Sequence, residues 1–114
     1  MGAFVRGDVV VVNFPNSTGS AFKKRPAVVI GTVSYAGADD YILCLITSQK
    51  ADDQHSIELQ PTDVIGGSLR TISYVRPTYL YTADESTIAY KVGTLRGKVL
   101  AQAVAAITGV LNPA

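Results

Sequence analysis

Apolar and polar positions along the chain alternate mostly as strands do. Val5 to Phe14 contains the run Val9-Val10-Val11-Val12, apolar at every position, which predicts a strand buried on both faces and hence interior to a sheet. Pro15 ends it. Asn16 to Lys24 is rich in Ser, Thr, Gly and Lys, with Phe22 as its large apolar anchor, and predicts a surface loop leading straight into Arg25. Pro26 to Tyr35 and Asp40 to Thr47 are β-rich runs joined by a turn containing Gly37. After the polar loop Gln49 to His55 comes a short strand, Ser56 to Leu59, and then one helical turn over Thr62 to Ile65 before Gly66-Gly67. Thr71 to Thr82 reads as a strand with Ile72, Tyr74, Arg76, Thr78 and Leu80 on one face and Ser73, Val75, Pro77, Tyr79 and Tyr81 on the other. Pro77 cannot donate to a ladder, so this strand is an edge or is bent there. Ser86 to Val92 predicts a further strand ending at Gly93. The period then changes. Leu100, Ala103, Val104, Ile107 and Leu111 recur at helical spacing, with Gly97 near the start and Asn112-Pro113 closing the segment.

Many short strands and one closing helix, without a βαβ rhythm, imply a mainly β fold: a small, strongly curved antiparallel sheet or barrel with a C-terminal α-helix. At 114 residues the chain reads as one domain, 1–114, too short for a core plus a separate cofactor domain. A formal net charge of +1 gives the whole molecule no strong field, so any attraction for a polyanion must come from local clustering, as at Lys23, Lys24 and Arg25. The lone Cys44 lies in the apolar run Tyr41 to Ile46, where a buried reduced thiol is the expectation. With no disulfide framework, signal peptide or membrane-length apolar stretch, the chain reads as soluble and cytoplasmic, with no membrane partner.

The chemistry concentrates at strand ends. If the turn between the second and third strands centres near Ala36, residues whose numbers add up to about 72 face each other, which sets Arg25 opposite Thr47. Cross-strand Cβ atoms are then about 4.5–5.5 Å apart, close enough for one oxyanion to meet both a guanidinium fork and a hydroxyl. Lys24 and Ser48 flank that pair. Arg76 and Tyr74, sharing a face of the later strand, are candidates to hold a phosphate and to stack an unpaired base. Arg76 has an alternative, pairing with Asp84 or Glu85. His55 sits among Asp52, Asp53 and Gln54, which reads as a solvated loop, and this set lacks any recognised metal-ligand spacing.

The order Arg6-Gly7-Asp8-Val9, Arg25-Pro26-Ala27-Val28-Val29-Ile30, Ile46-Thr47-Ser48, Val75-Arg76-Pro77 and Lys91-Val92-Gly93-Thr94-Leu95 resembles the MazF/PemK/Kid family of toxin components of toxin-antitoxin systems, over nearly the whole chain. The resemblance implies an SH3-like barrel with a terminal helix, a homodimer, metal-free and cofactor-free cleavage of single-stranded RNA, and neutralisation by a cognate antitoxin. It places the catalytic arginine at Arg25 and the active-site hydroxyl at Thr47, with Ser48 beside it, and matches Arg76 to a second arginine used by some members. Two positions depart from the pattern. Thr78 stands where several relatives carry an acidic residue, and Arg96 stands where a helix-capping serine is common, leaving Thr94 as the candidate cap. Two rivals share the fold: a non-enzymatic inhibitor resembling the CcdB gyrase poisons, and a silent relative that binds RNA or antitoxin without cutting.

Overall fold

The valine run sits where its pattern requires, in a strand with neighbours on both sides and apolar layers on both faces. In the computed structural model, which describes residues 3–15, 22–35, 37–50 and 54–113, the elements are β1 (Asp8–Pro15), β2 (Phe22–Tyr35), β3 (Ala38–Thr47), β4 (Ile57–Leu59), β5 (Val64–Ile65), β6 (Ser73–Asp84), β7 (Ile88–Leu95) and α1 (Gly97–Leu111). The strands form one antiparallel sheet in the order β4-β6-β3-β2-β1-β7-β5. It curls into a half-barrel. Inside lie Val9, Val28, Cys44, Ile46 and Val75, closed over by Ala103 and Ile107 of α1. A second layer, with Val10, Val12, Val29, Tyr41 and Leu43, covers the opposite face. This explains why β1, β2 and β3 are apolar at consecutive positions.

Several boundaries differ from the sequence expectation for local reasons. β1 starts at Asp8, not Val5, because Asp8 closes a turn: its backbone N–H donates to the Val5 carbonyl (3.0 Å), its carboxylate accepts from the Val5 N–H (3.0 Å), and Gly7 takes a φ of 98°. Lys23, Lys24 and Arg25 belong to β2, which starts at Phe22; the rest of the predicted loop, residues 16–21, lies outside the described residues. The helical turn expected over Thr62 to Ile65 is instead a 3₁₀ turn at Pro61–Asp63 followed by β5, which pairs with β7. Thr94 does not cap α1; its hydroxyl donates to Asp8 (3.4 Å), and Arg96 occupies the cap position without a side-chain cap bond. On α1 the buried residues are Ala103 and Ile107, while Leu111 is 71% exposed, so the terminal residue falls off the expected stripe.

β6 is interior, between β4 and β3, and is bent rather than being an edge. Val75 pairs with Ile46 and Leu80 with Cys44, so Arg76 to Tyr79 bulge opposite Leu45 alone. Pro77, unable to donate, falls inside that bulge and is itself buried. The bulge inverts the alternation. Leu80 packs with the Val75 layer, whereas Tyr81 and Ala83 pack in the second layer, so Tyr81 does not share the Val75 face as uninterrupted alternation would require.

Candidate functional site

The β2–β3 hairpin decides whether Arg25 and Thr47 meet. Tyr35 pairs with Ala38, one place off the expected register, and an extra residue at Ile30 restores it, so that Val29 pairs with Leu43, Val28 with Cys44 and Ala27 with Leu45. Carried two places further, this register sets Arg25 opposite Thr47 and on the same face. Thr47 also pairs with Tyr74, and Tyr74 with Glu58, so a row Glu58, Tyr74, Thr47, Arg25 runs across four strands. Glu58 is the carboxylate on that row. Thr78, at the position where an acid was expected, lies in the β6 bulge and is exposed.

Arg25 sits beside an aromatic group. Phe14, Tyr79 and Tyr81 pack edge to face, with ring centroids 5.1 Å apart for Phe14–Tyr81, 5.9 Å for Phe14–Tyr79 and 6.2 Å for Tyr79–Tyr81. Burial pushes the Tyr81 phenol up to about 12, with Tyr79 and Cys44 adding to the rise and the Arg25 guanidinium opposing it, so the Arg25 charge acts at this cluster. The Tyr81 hydroxyl is buried without a hydrogen-bond partner among the described residues. Cys44 is inert: burial raises its thiol to about 12, and Sγ donates to the Arg76 carbonyl at 3.0 Å.

A cleft of about 660 Å³ opens at the same end of the sheet. Its apolar lining comes from Val11, Pro26, Ile46, Leu69 and Val92, its hydroxyls from Thr47, Ser48, Ser68, Thr71 and Ser73, and its charges from Lys23, Lys24, Arg25, Arg70 and Lys91. No described lining residue is acidic. Lys91 is drawn to Asp8 at 3.1 Å, whereas Lys23, Lys24, Arg25 and Arg70 make no ion pair with a described residue. Alternation places Lys24 on the Pro26 side and Arg25 on the Ala27 side of β2, so the cations surround the rim from both faces. Thr47 is oriented by the Gln49 backbone N–H, which donates to its Oγ1 at 3.2 Å.

Of the residues singled out from sequence, Lys24, Arg25, Thr47 and Ser48 gather at the cleft. Tyr74 and Arg76 do not line it; Tyr74 adjoins Thr47 on the sheet and Arg76 sits half-buried in the bulge. His55 is exposed and outside the lining, while Asp52 and Asp53 lie outside the described residues. Sequence reasoning missed Arg70, Thr71, Ser73 and Tyr90, which arrive from the connection before β6 and from β7. The pair Gly66-Gly67 was the available signal, since neighbouring glycines mark close backbone approach.

A model of PemK-like, MazF-like toxins of type II toxin-antitoxin systems matches residues 5–111. No curated protein matches the chain in sequence. Among solved structures, an endoribonuclease from a mycobacterial species in complex with its cognate antitoxin is 16% identical, with a TM-score of 0.73 over 98% of each chain. MazF in the MazE-MazF complex (Form-II) of Deinococcus radiodurans is 19% identical, with a TM-score of 0.71 over 100% of each chain. MazF (Form-I) from Deinococcus radiodurans is 22% identical, with a TM-score of 0.73 over 97% of this chain and 98% of that one. The fold is that of these proteins.

Proposed function

Because the chain belongs to the PemK-like, MazF-like toxins of type II toxin-antitoxin systems, we propose that it is a sequence-selective endoribonuclease that cleaves single-stranded RNA without a metal and is neutralised by a cognate antitoxin. The observation that carries this reading is the cleft with four cations, Lys23, Lys24, Arg25 and Arg70, that make no ion pair among the described residues, around hydroxyls that include Thr47. Like charges held together without carboxylates repel, and a polyanion that displaces their counter-ions is the partner that relieves them. A duplex would hold its bases stacked. A single strand can splay, letting the 2′-hydroxyl line up behind the adjacent phosphorus.

In this reaction the 2′-hydroxyl loses its proton, the 2′-oxygen–phosphorus bond forms and the phosphorus–5′-oxygen bond breaks. The leaving 5′-oxygen takes up a proton, and the products are a 2′,3′-cyclic phosphate and a 5′-hydroxyl. Charge grows on the non-bridging oxygens as phosphorus becomes five-coordinate. Arg25 offers two parallel donors and a fixed positive charge to those oxygens, and Thr47, on the same face, offers a hydroxyl. Lys24 and Ser48 hold the flanking backbone; Tyr74 and Arg76 extend the contact surface beyond the cleft.

Two neighbouring structures are complexes with antitoxins. For this chain the antitoxin is an acidic, partly disordered segment that lays carboxylates over the Arg25 end of the cleft and competes with RNA. A homodimer covers apolar side chains that the monomer leaves exposed, such as Val5 (63%), Ile65 (60%) and Leu111 (71%). The toxin acts in the cytoplasm, where its RNA is. Incubating the pure protein with labelled single-stranded RNA in chelator tests the reading: cut products are expected, and RNA retained on a filter without cleavage would contradict it.

A further inference from the structure

The connection from β5 to β6 joins the strand at one end of the sheet order to the strand next to last at the other, so residues 66–72 cross the open side of the half-barrel. Its course is fixed by close backbone approach. A Cβ on Gly67 would lie 1.9 Å from the Val92 carbonyl oxygen, and one on Gly93 would lie 2.6 Å from the Ile65 carbonyl oxygen, so β7 meets both this connection and the end of β5 where only glycine fits. Leu69 then anchors the segment in the inner core. Arg70 follows at once. It is exposed, lines the cleft, and makes no hydrogen bond or ion pair with a described residue. Tyr90, on β7 just before the clamped Val92–Gly93 pair, lines the same cleft and is 53% exposed.

Here a cation stands on a pinned loop with no carboxylate among the described residues to neutralise it, in the same cleft as an aromatic residue left in solvent. A guanidinium on a fixed backbone suits a phosphate, and an exposed phenol ring suits the face of an unpaired base. The cleft, about 660 Å³, also exceeds what one phosphate fills: pockets of roughly 300–1,000 Å³ hold drug-sized molecules.

We propose that Arg70 and Tyr90 form a second nucleotide subsite, Arg70 holding a backbone phosphate next to the scissile one and Tyr90 stacking the base attached to it. The proposal rests on the RNA reading above. The subsite sets how strongly and in what register the strand binds; the reacting phosphate stays with Arg25 and Thr47.

The test is binding of a randomised single-stranded RNA carrying 2′-O-methyl groups throughout, which cannot be cut, measured across a salt series. Each phosphate contact to a single strand contributes about 0.7 to the slope of log affinity against log salt. Arg70→Gln is expected to weaken binding and flatten that slope by about 0.7, and Arg70→Lys to keep it. Tyr90→Leu is expected to weaken binding roughly 5- to 150-fold with the slope unchanged. Both side chains are exposed, so thermal unfolding of all three variants should follow wild type. A Lys24→Gln protein that loses slope while Arg70→Gln or Tyr90→Leu binds like wild type would overturn the second subsite and leave the RNA reading intact. A wild-type protein that does not bind the probe would remove the RNA reading and the subsite with it.

Discussion

Arg25 illustrates how much one side chain depends on a distant count of residues. Its place opposite Thr47 follows from the extra residue at Ile30, without which the Tyr35–Ala38 register would turn one of the pair to the other face. A preorganised donor to a developing oxyanion is worth about 2.7–4 kcal/mol, so Arg25→Ala should slow single-turnover RNA cleavage roughly 10²–10³-fold, with the circular dichroism spectrum unchanged. The aromatic group beside Arg25 carries a cost that can be measured. The buried Tyr81 hydroxyl has no hydrogen-bond partner among the described residues, and Tyr81→Phe should raise stability by about 1 kcal/mol in urea unfolding. Cys44 and Tyr81 also bind their protons more tightly folded than unfolded, each pushed up to about 12 from 9.0 and 10.0. Their stabilisation is complete below the unfolded values and is lost as pH rises through the folded ones, because the unfolded chain then binds fewer protons. Unfolding midpoints should therefore fall between about pH 9 and pH 12. Cys44→Val should flatten part of that fall, and native Cys44 should resist iodoacetamide at pH 8.

At the scale of elements, the site depends on two irregularities, the Ile30 bulge in β2 and the glycine clamp between β7 and the β5–β6 connection. Gly67→Ala forces a Cβ against the backbone of Val92, and should cost about 1–3 kcal/mol while weakening RNA binding as Arg70→Gln does, through displacement of the loop. Asp8 ties three segments together: it accepts from the Val5 N–H and the Thr94 hydroxyl and pairs with Lys91. Asp8→Ala should cost more than about 1.5 kcal/mol in chemical denaturation, because it removes the buried charged acceptor on which these donors converge. Strand identities were legible from composition, as in the valine run of β1, and so was the bend at Pro77, since proline cannot serve a ladder. The consequence of that bend was not. A bulge of Arg76 to Tyr79 inverts the faces beyond it, and only the pairing of Leu80 with Cys44 reveals the shift. Arg96 at the helix start shows the same limit, because Thr94, the expected cap, is claimed by Asp8 from another strand.

Taken as a whole, the molecule is nearly neutral yet gathers five of its ten cations, Lys23, Lys24, Arg25, Arg70 and Lys91, around one cleft. The net charge of +1 hides this, and only folding brings Arg70 to the same cleft as Lys23, Lys24 and Arg25. The half of the candidate site that lies on one hairpin was therefore readable from local register. The half that depends on closure of the barrel was not, because Arg70 and Tyr90 lie far along the chain and look like ordinary surface residues. Among the described residues no helix is long and apolar enough to cross a membrane. The central claim is that Arg25 and Thr47 act together on one scissile diester. The most direct measurement compares wild type and Arg25→Ala on a long unstructured RNA in chelator, mapping both ends of every product. Wild type should leave 2′,3′-cyclic phosphates and 5′-hydroxyls at a restricted set of sequences, and the variant should cut the same sites roughly 10²–10³ times more slowly. Cleavage that disappears in chelator, or an Arg25→Ala protein that cuts at the wild-type rate, would contradict it.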